Sequence, residues 1–198
     1  MPGHGMFDKI LEFERALAAY TGASYAIMTD CCTHAMELCL RYERPTNVAF
    51  TAFTYVSIPM LMHKLGIEYR LVPEDWCGEY QFHGTGIWDS ARRLERGMYI
   101  PGQMQCLSFG HGKPLQIGRG GAILLDDAHA YSVIIKQRYD GRDLTITPWQ
   151  DQIEFEIGYH YKPTIEEASR GLELLPMVDE QPKYVSYPDC RKILIKGR

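Results

Sequence analysis

No stretch of this 198-residue chain approaches the roughly 20 consecutive apolar residues that a helix needs to cross a bilayer, and no basic region followed by an apolar core stands at its start. A cytoplasmic protein is therefore expected, with no membrane partner. Basic runs are also missing and the formal net charge is −4, which argues against nucleic acid as the main partner. The six cysteines (Cys31, Cys32, Cys39, Cys77, Cys106 and Cys190) form no C-x-x-C pair and have no regular spacing. Adjacent Cys31 and Cys32 with nearby His34 lack the second ligand pair of a zinc site, so no metal is expected and most of the thiols are read as buried and reduced. Internal repeats and low-complexity segments are absent. What remains is a chain with 45% hydrophobic residues, enough for one globular domain with a real core.

The apolar residues Phe7, Ile10, Leu11, Phe13, Leu17 and Tyr20 recur at helical spacing with charges between them, which predicts an amphipathic helix ending near Gly22. Ala23 to Met28 reads as a short strand, and Thr29 to Thr33 as a loop into a helix over Ala35 to Leu40. Strand, helix and strand follow at Val48–Thr54, Met60–Leu65 and Glu68–Val72, the order of an α/β domain with a mainly parallel sheet. Ligands collect at the strand C-termini of such folds. Tyr55 stands at one of those ends, and Asp89, after Ile87 and Trp88, stands at another. Residues 73–86 form a short irregular piece. Further helices are expected over Asp126–Tyr139 and Ile165–Leu175, and a last strand over Ile193–Ile195.

The centre of the sequence is the glycine-rich segment from Cys106 to Leu125, with Lys113 in its middle. A phosphate-binding loop would need Gly five residues before the Gly-Lys pair and Ser or Thr after the lysine, where this chain has Leu107 and Pro114. That reading is rejected. A lysine in a loop between two strands can instead be partly desolvated and serve as a nucleophile. A solvated structural lysine fits the same composition. Thr33 likewise stands where a helix N-terminus would receive a phosphate, or where a plain N-cap would sit, and Asp89 could cap a following helix.

Ser108 and Phe109, then Lys113 five residues after the serine, then Gly118, Gly120 and Gly121, resemble the lysine motif of the DegT/DnrJ/EryC1/StrS sugar aminotransferases. Four further segments resemble that family in the same order: Cys32 to Met36, Tyr55, Trp88 to Arg92, and Gly158 to Lys162. The resemblance runs from Phe7 to Leu175. It implies a reduced large domain of the fold type I pyridoxal-phosphate enzymes, three-layer α/β/α with a mainly parallel sheet. Residues 1–22 would form the N-terminal helix, 23–175 the core and 176–198 a tail, without the usual small C-terminal domain.

The resemblance also implies roles. Lys113 would be the Schiff-base lysine and Asp89 the carboxylate on the pyridinium nitrogen. Thr33, His34 and Ser108 would bind the cofactor phosphate, Tyr55 would stack on the ring, and Arg92 replaces a His or Gln near the phenolic oxygen. His160 and Lys162 stand where relatives have Asn and Arg, in a loop that reaches across a dimer to the partner's phosphate. The implied protein is a homodimer with shared sites that uses pyridoxal 5'-phosphate to move an amino group from glutamate or a similar donor to a nucleotide-linked keto-sugar. The alternatives are a reduced, non-catalytic relative that binds cofactor or sugar nucleotide or dimerises with a partner enzyme, and another pyridoxal-phosphate reaction on an amino acid.

Overall fold

The computed structural model describes residues 8–146, 148–178 and 185–196. Phe7, expected to open the first helix, and parts of the tail lie outside them. The elements in order are α1 (Asp8–Thr21), β1 (Tyr25–Thr29), α2 (Cys32–Glu43), β2 (Asn47–Thr51), α3 (Ser57–Leu65), β3 (Glu68–Val72), β4 (Tyr80–Gln81), β5 (Ile87–Asp89), β6 (Met104–Ser108), β7 (Gly121–Leu125), α4 (Ala128–Gln137) and α5 (Ile165–Leu174). No strand forms at 193–195; Cys190–Lys192 is a short 3-10 turn capped by Asp189. Arg191 pairs with Asp189, and the two spend the local hydrogen bonds on that turn.

Five strands form one sheet in the order β1-β7-β6-β5-β4, and β2 and β3 pair separately. The expected parallel character holds for strand direction only. β1, β5 and β6 run the same way, and the parallel β2–β3 ribbon joins them through an antiparallel bridge between Ala49 and His83, just past β4. Yet β1–β7, β6–β7 and β4–β5 are antiparallel neighbours. The cause is local: β7 returns directly from β6 through the Lys113 loop, and such a return pairs strands antiparallel.

Alternation along the central strands feeds two cores. Ile27, Cys106, Ile123 and Leu125 face α2, α3 and α4, with Met36, Leu38, Leu61, Met62 and Ile134. Met28, Leu107, Ala122 and Leu124 face α1 and α5, with Phe13, Leu17 and Ala168. This is the three-layer architecture. At Gly171 of α5 a Cβ would lie 2.6 Å from the Phe13 ring, so only glycine lets α5 approach α1 this closely. The outer edge of β1 is closed by a buried ion pair. Met28 N–H donates to Glu14 Oε1 (2.7 Å), the Met28 carbonyl accepts from Arg138 Nη1 (2.7 Å), and the two side chains pair with each other. Backbone groups that an edge strand leaves open are thereby satisfied without water.

Candidate active site

A cavity of about 460 Å³ opens at the C-terminal ends of β5 and β6, beside the start of α2 and the segment after β2. It is lined by Thr33, Tyr55, Asp89, Arg92, Ser108 and Lys113, six of the residues singled out in the sequence. Ser57, Trp76, His111, Arg119 and Tyr187 also line it and carried no local signal of this role, save that Ser57 opens the helix just after Tyr55.

The loop that carries Lys113 is held from both ends. Phe109 N–H donates to the Gly120 carbonyl (3.0 Å) and Ile117 N–H to the Phe109 carbonyl (3.1 Å), while Phe109, Leu115 and Ile117 are buried in the second core. Lys113 itself is half-buried, and among the described residues its Nζ makes no hydrogen bond or ion pair. The glycines that follow have a steric cause. Gly120 has φ +124, and a Cβ on Gly121 would lie 2.4 Å from the backbone nitrogen of Cys32. The start of β7 thus presses on the N-terminus of α2, which brings the lysine loop and that helix end to one cavity.

Asp89 is buried, with Oδ2 accepting from Tyr80 OH (2.7 Å) and Oδ1 from Ala91 N–H (3.0 Å). Tyr80 is its cross-strand partner in β4, and the Tyr80 hydroxyl also shares a hydrogen bond with Thr54 Oγ1 (2.6 Å). No helix follows Asp89, so it caps none. Burial pushes its carboxyl above the usual range, against the opposing pull of the Tyr80 and Ala91 hydrogen bonds and of the Lys113 and Arg92 charges. No cation touches it among the described residues. Thr33 is not the N-cap of α2; Cys31 is, its sulfur accepting from His34 N–H (3.4 Å). That frees the Thr33 hydroxyl, which lies 3.0 Å from Ser57 Oγ at the cavity wall. Tyr55 is 62% exposed, so its ring is available at the mouth. Arg92 lines the cavity, but its guanidinium is engaged by Tyr187 OH (3.0 Å, from Nε) and the Gly112 carbonyl (2.6 Å, from Nη1).

His34, His160 and Lys162 are not among the described residues lining the cavity. His160 pairs with Asp140 (3.0 Å), and Lys162 Nζ donates to Tyr139 OH (3.2 Å) over that ring. His34 stacks on Tyr161 and bonds Asp30 through Nδ1 (2.6 Å). Asp30, Cys31 and His34 bring ligand-type atoms within 4.8 Å of one another, but the second carboxylate oxygen of Asp30 is held by Arg119 (2.7 Å). Burial opposes charge on His34, yet the Asp30 hydrogen bond outweighs it and raises its pKa to about 9. A histidine whose folded pKa lies above its unfolded 6.5 contributes stability below pH 6.5 and loses it as pH rises through about 9. Urea unfolding is therefore expected to show stability falling by about 1 kcal/mol over that window, the rest being lost to solvent screening. His34→Gln should flatten the profile; an unchanged slope in the variant would assign it to other groups.

A lysine on a glycine-bounded loop, a buried aspartate at a strand end and a helix N-terminus stand around one cavity, in a fold that this chain shares with solved sugar aminotransferases. Solved structures with this fold include 3-amino-5-hydroxybenzoic acid synthase (TM-score 0.71, 22% identity, 87% of this chain and 56% of that one). The sugar aminotransferase CalS13 from Micromonospora echinospora also shares it (0.71, 18%, 89% and 62%), as does the PLP form of Spr1654 from Streptococcus pneumoniae (0.67, 17%, 86% and 59%). Residues 5–75 match the sequence model of the DegT/DnrJ/EryC1/StrS aminotransferase family. No curated protein matches the chain. The chain spans 56% to 62% of the length of these three solved structures.

Proposed function

We propose that this chain binds pyridoxal 5'-phosphate covalently at Lys113 and serves as the catalytic part of an aminotransferase. The observation that carries the reading is the juxtaposition of an unpaired lysine amine and a buried carboxylate without a cation in one cavity. The donor set fits the cofactor. Asp89 would face a protonated pyridine nitrogen, the missing cation for a carboxylate that burial penalises. The hydroxyls of Thr33, Ser57 and Ser108, with the N-terminus of α2, would hold the phosphate. Tyr55 would cover the ring face, and Arg92 also lines the cavity.

When bound, the cofactor supplies an electron sink for the carbon that bears the transferred amino group. Lys113 would hold the cofactor and, as a free amine, could carry a proton to and from the reacting carbon. Asp89 would hold a proton on the ring nitrogen. Burial of Phe109, Leu115 and Ile117 fixes the loop that presents Lys113 to the cavity.

The acceptor we favour is a nucleotide-linked keto-sugar and the donor glutamate, in a cytoplasmic homodimer. In that assembly the 159–162 loop, turned away from its own chain's cavity, would bring His160 and Lys162 to the phosphate of a second copy. A non-catalytic binding module is the alternative, and the engagement of His160 by Asp140 and of Lys162 by Tyr139 favours it.

The test is spectroscopic. Protein mixed with pyridoxal phosphate is expected to develop a visible band that borohydride abolishes, with the reduced pyridoxyl group recovered on the Lys113 peptide by mass spectrometry. Lys113→Ala should show no band and no label while unfolding close to the wild-type temperature, because among the described residues its amine makes no hydrogen bond or ion pair and gives up only an attraction to Asp89 at longer range. Label elsewhere, or none in the wild type, would remove the catalytic reading. Bleaching of the band by glutamate then separates an aminotransferase from a binder.

A further inference from the structure

The described part of the tail, residues 185–196, is attached to the body at defined points. Cys190 N–H donates to the Ala52 carbonyl (2.8 Å), Cys190 Sγ to the Thr54 carbonyl (3.3 Å), and Asp189 forms a bridge with Phe53. These anchors bring Tyr187 to the cavity wall, the one residue of that segment that lines it. Tyr187 then touches both catalytic supports. Its hydroxyl accepts from Arg92 Nε (3.0 Å), and Arg92 Nη1 holds the carbonyl of Gly112 (2.6 Å), the residue before Lys113. Gly112 has φ +70, a conformation open to glycine, so the Arg92 bond to its carbonyl fixes one of several settings that the residue could take. The Tyr187 ring stacks on Trp76 (5.7 Å, 17°), which leans on Tyr80 (4.9 Å), the donor to Asp89.

We propose that Tyr187 is a positioning residue for Lys113: through Arg92 it fixes the Gly112 carbonyl, and so sets where the lysine amine stands relative to Asp89. A planar guanidinium with two edges engaged is a rigid link, so the hydroxyl at one end determines the carbonyl at the other. The loop's own bonds run through Phe109 and Gly120 at its ends and from Gly112 N–H to Gln116 Oε1 (3.2 Å) near its tip; Tyr187 and Arg92 anchor that tip from outside the loop. The tail is thereby part of the machinery that prepares the lysine. This proposal rests on the pyridoxal-phosphate reading, and its test separates the two.

The experiment compares the wild type with Tyr187→Phe, Arg92→Lys, Arg92→Ala and the double variant Tyr187→Phe/Arg92→Ala. Two rates are read at the Lys113 peptide: borohydride-trapped capture of pyridoxal phosphate, and reductive methylation by formaldehyde in the cofactor-free protein. Tyr187→Phe keeps the ring on Trp76, so its melting temperature should not move. It is expected to slow capture about tenfold, the size of one lost charge-assisted hydrogen bond. It should also speed methylation several-fold as the loop tip is released. Arg92→Lys, which cannot bridge two partners in a plane, should not rescue either rate. The double variant should match Arg92→Ala alone, because both changes break the same link. Wild-type rates in Tyr187→Phe, or effects that multiply in the double variant, overturn the proposal. If the wild type captures no cofactor, the functional reading falls, and the methylation rates alone still decide whether Tyr187 sets the lysine.

Discussion

Gly121→Ala is expected to destabilise the protein by about 3 kcal/mol or more, a drop of about 10 °C in melting temperature for a chain of this size. The backbone angle at Gly121 is ordinary, so the cost is one of space alone. Its Cβ would lie 2.4 Å from Cys32 N and 2.6 Å from the Cys31 carbonyl carbon, and backbone at the capped start of a helix cannot swing aside as a side chain can. Relief requires α2 to slide away from β7, which also moves Thr33 off the cavity wall. Cofactor capture should therefore fall together with stability. Gly66→Ala is the control: its φ is +67 but nothing lies within 4 Å of the added carbon. Only the left-handed conformation is penalised there, by roughly 1–2 kcal/mol, with no effect on capture. If Gly121→Ala melts no lower than Gly66→Ala, the close approach of β7 to α2 is not what fixes glycine here.

On the aminotransferase reading, Asp89→Asn is expected to cut turnover sharply while making the cofactor-free protein more stable. The amide is isosteric and its partners can adapt. Asn Oδ1 still accepts from Ala91 N–H, and the Tyr80 hydroxyl can donate to Thr54 while accepting from the new amide. Turnover should fall by about a hundredfold to a thousandfold, the scale for losing one preorganised charge at a reacting centre. Stability moves the other way. A carboxyl whose folded pKa is raised binds its proton more tightly in the folded state, so stability declines as pH rises above the unfolded value near 3.8. The amide has no such penalty. Calorimetry of the cofactor-free proteins from pH 4 to pH 8 should show the two curves diverging with pH, the variant above. A variant less stable than wild type across that range would contradict a destabilising charge at Asp89.

The parts of the site that could be read in the sequence are those encoded by neighbours along the chain. Ser108, Lys113 and the glycines Gly118, Gly120 and Gly121 lie within fourteen residues of one another, and the turns they need are local. The helices were legible for the same reason, through periodic apolar positions such as Ile10, Phe13 and Leu17. What escaped notice depends on pairings across distance. Tyr80 reaches Asp89 through a strand only two residues long, too short for any periodic signal. Tyr187 reaches Arg92 from 95 positions away. The reversed directions of β4 and β7 follow from connections rather than from strand composition, so a parallel sheet was the natural expectation. Ile193 to Ile195 have the composition of a strand but pair with no strand among the described residues, and Ile193 is the C-cap of the turn at Cys190–Lys192. His34 was assigned to phosphate by its place in a motif, whereas the acid beside it, Asp30, claims its ring.

The placement of β1 has a consequence for how the protein is made. Among the described residues its only strand partner is β7, and Tyr25 lies opposite Leu125, about a hundred residues later in synthesis. At translation speeds of about 5–20 residues per second, β1 waits seconds for the strand it pairs with, longer than hydrophobic collapse takes. In that interval α1 can cover the Met28 face and α2 the Ile27 face, while the backbone edge that β7 will fill stays open.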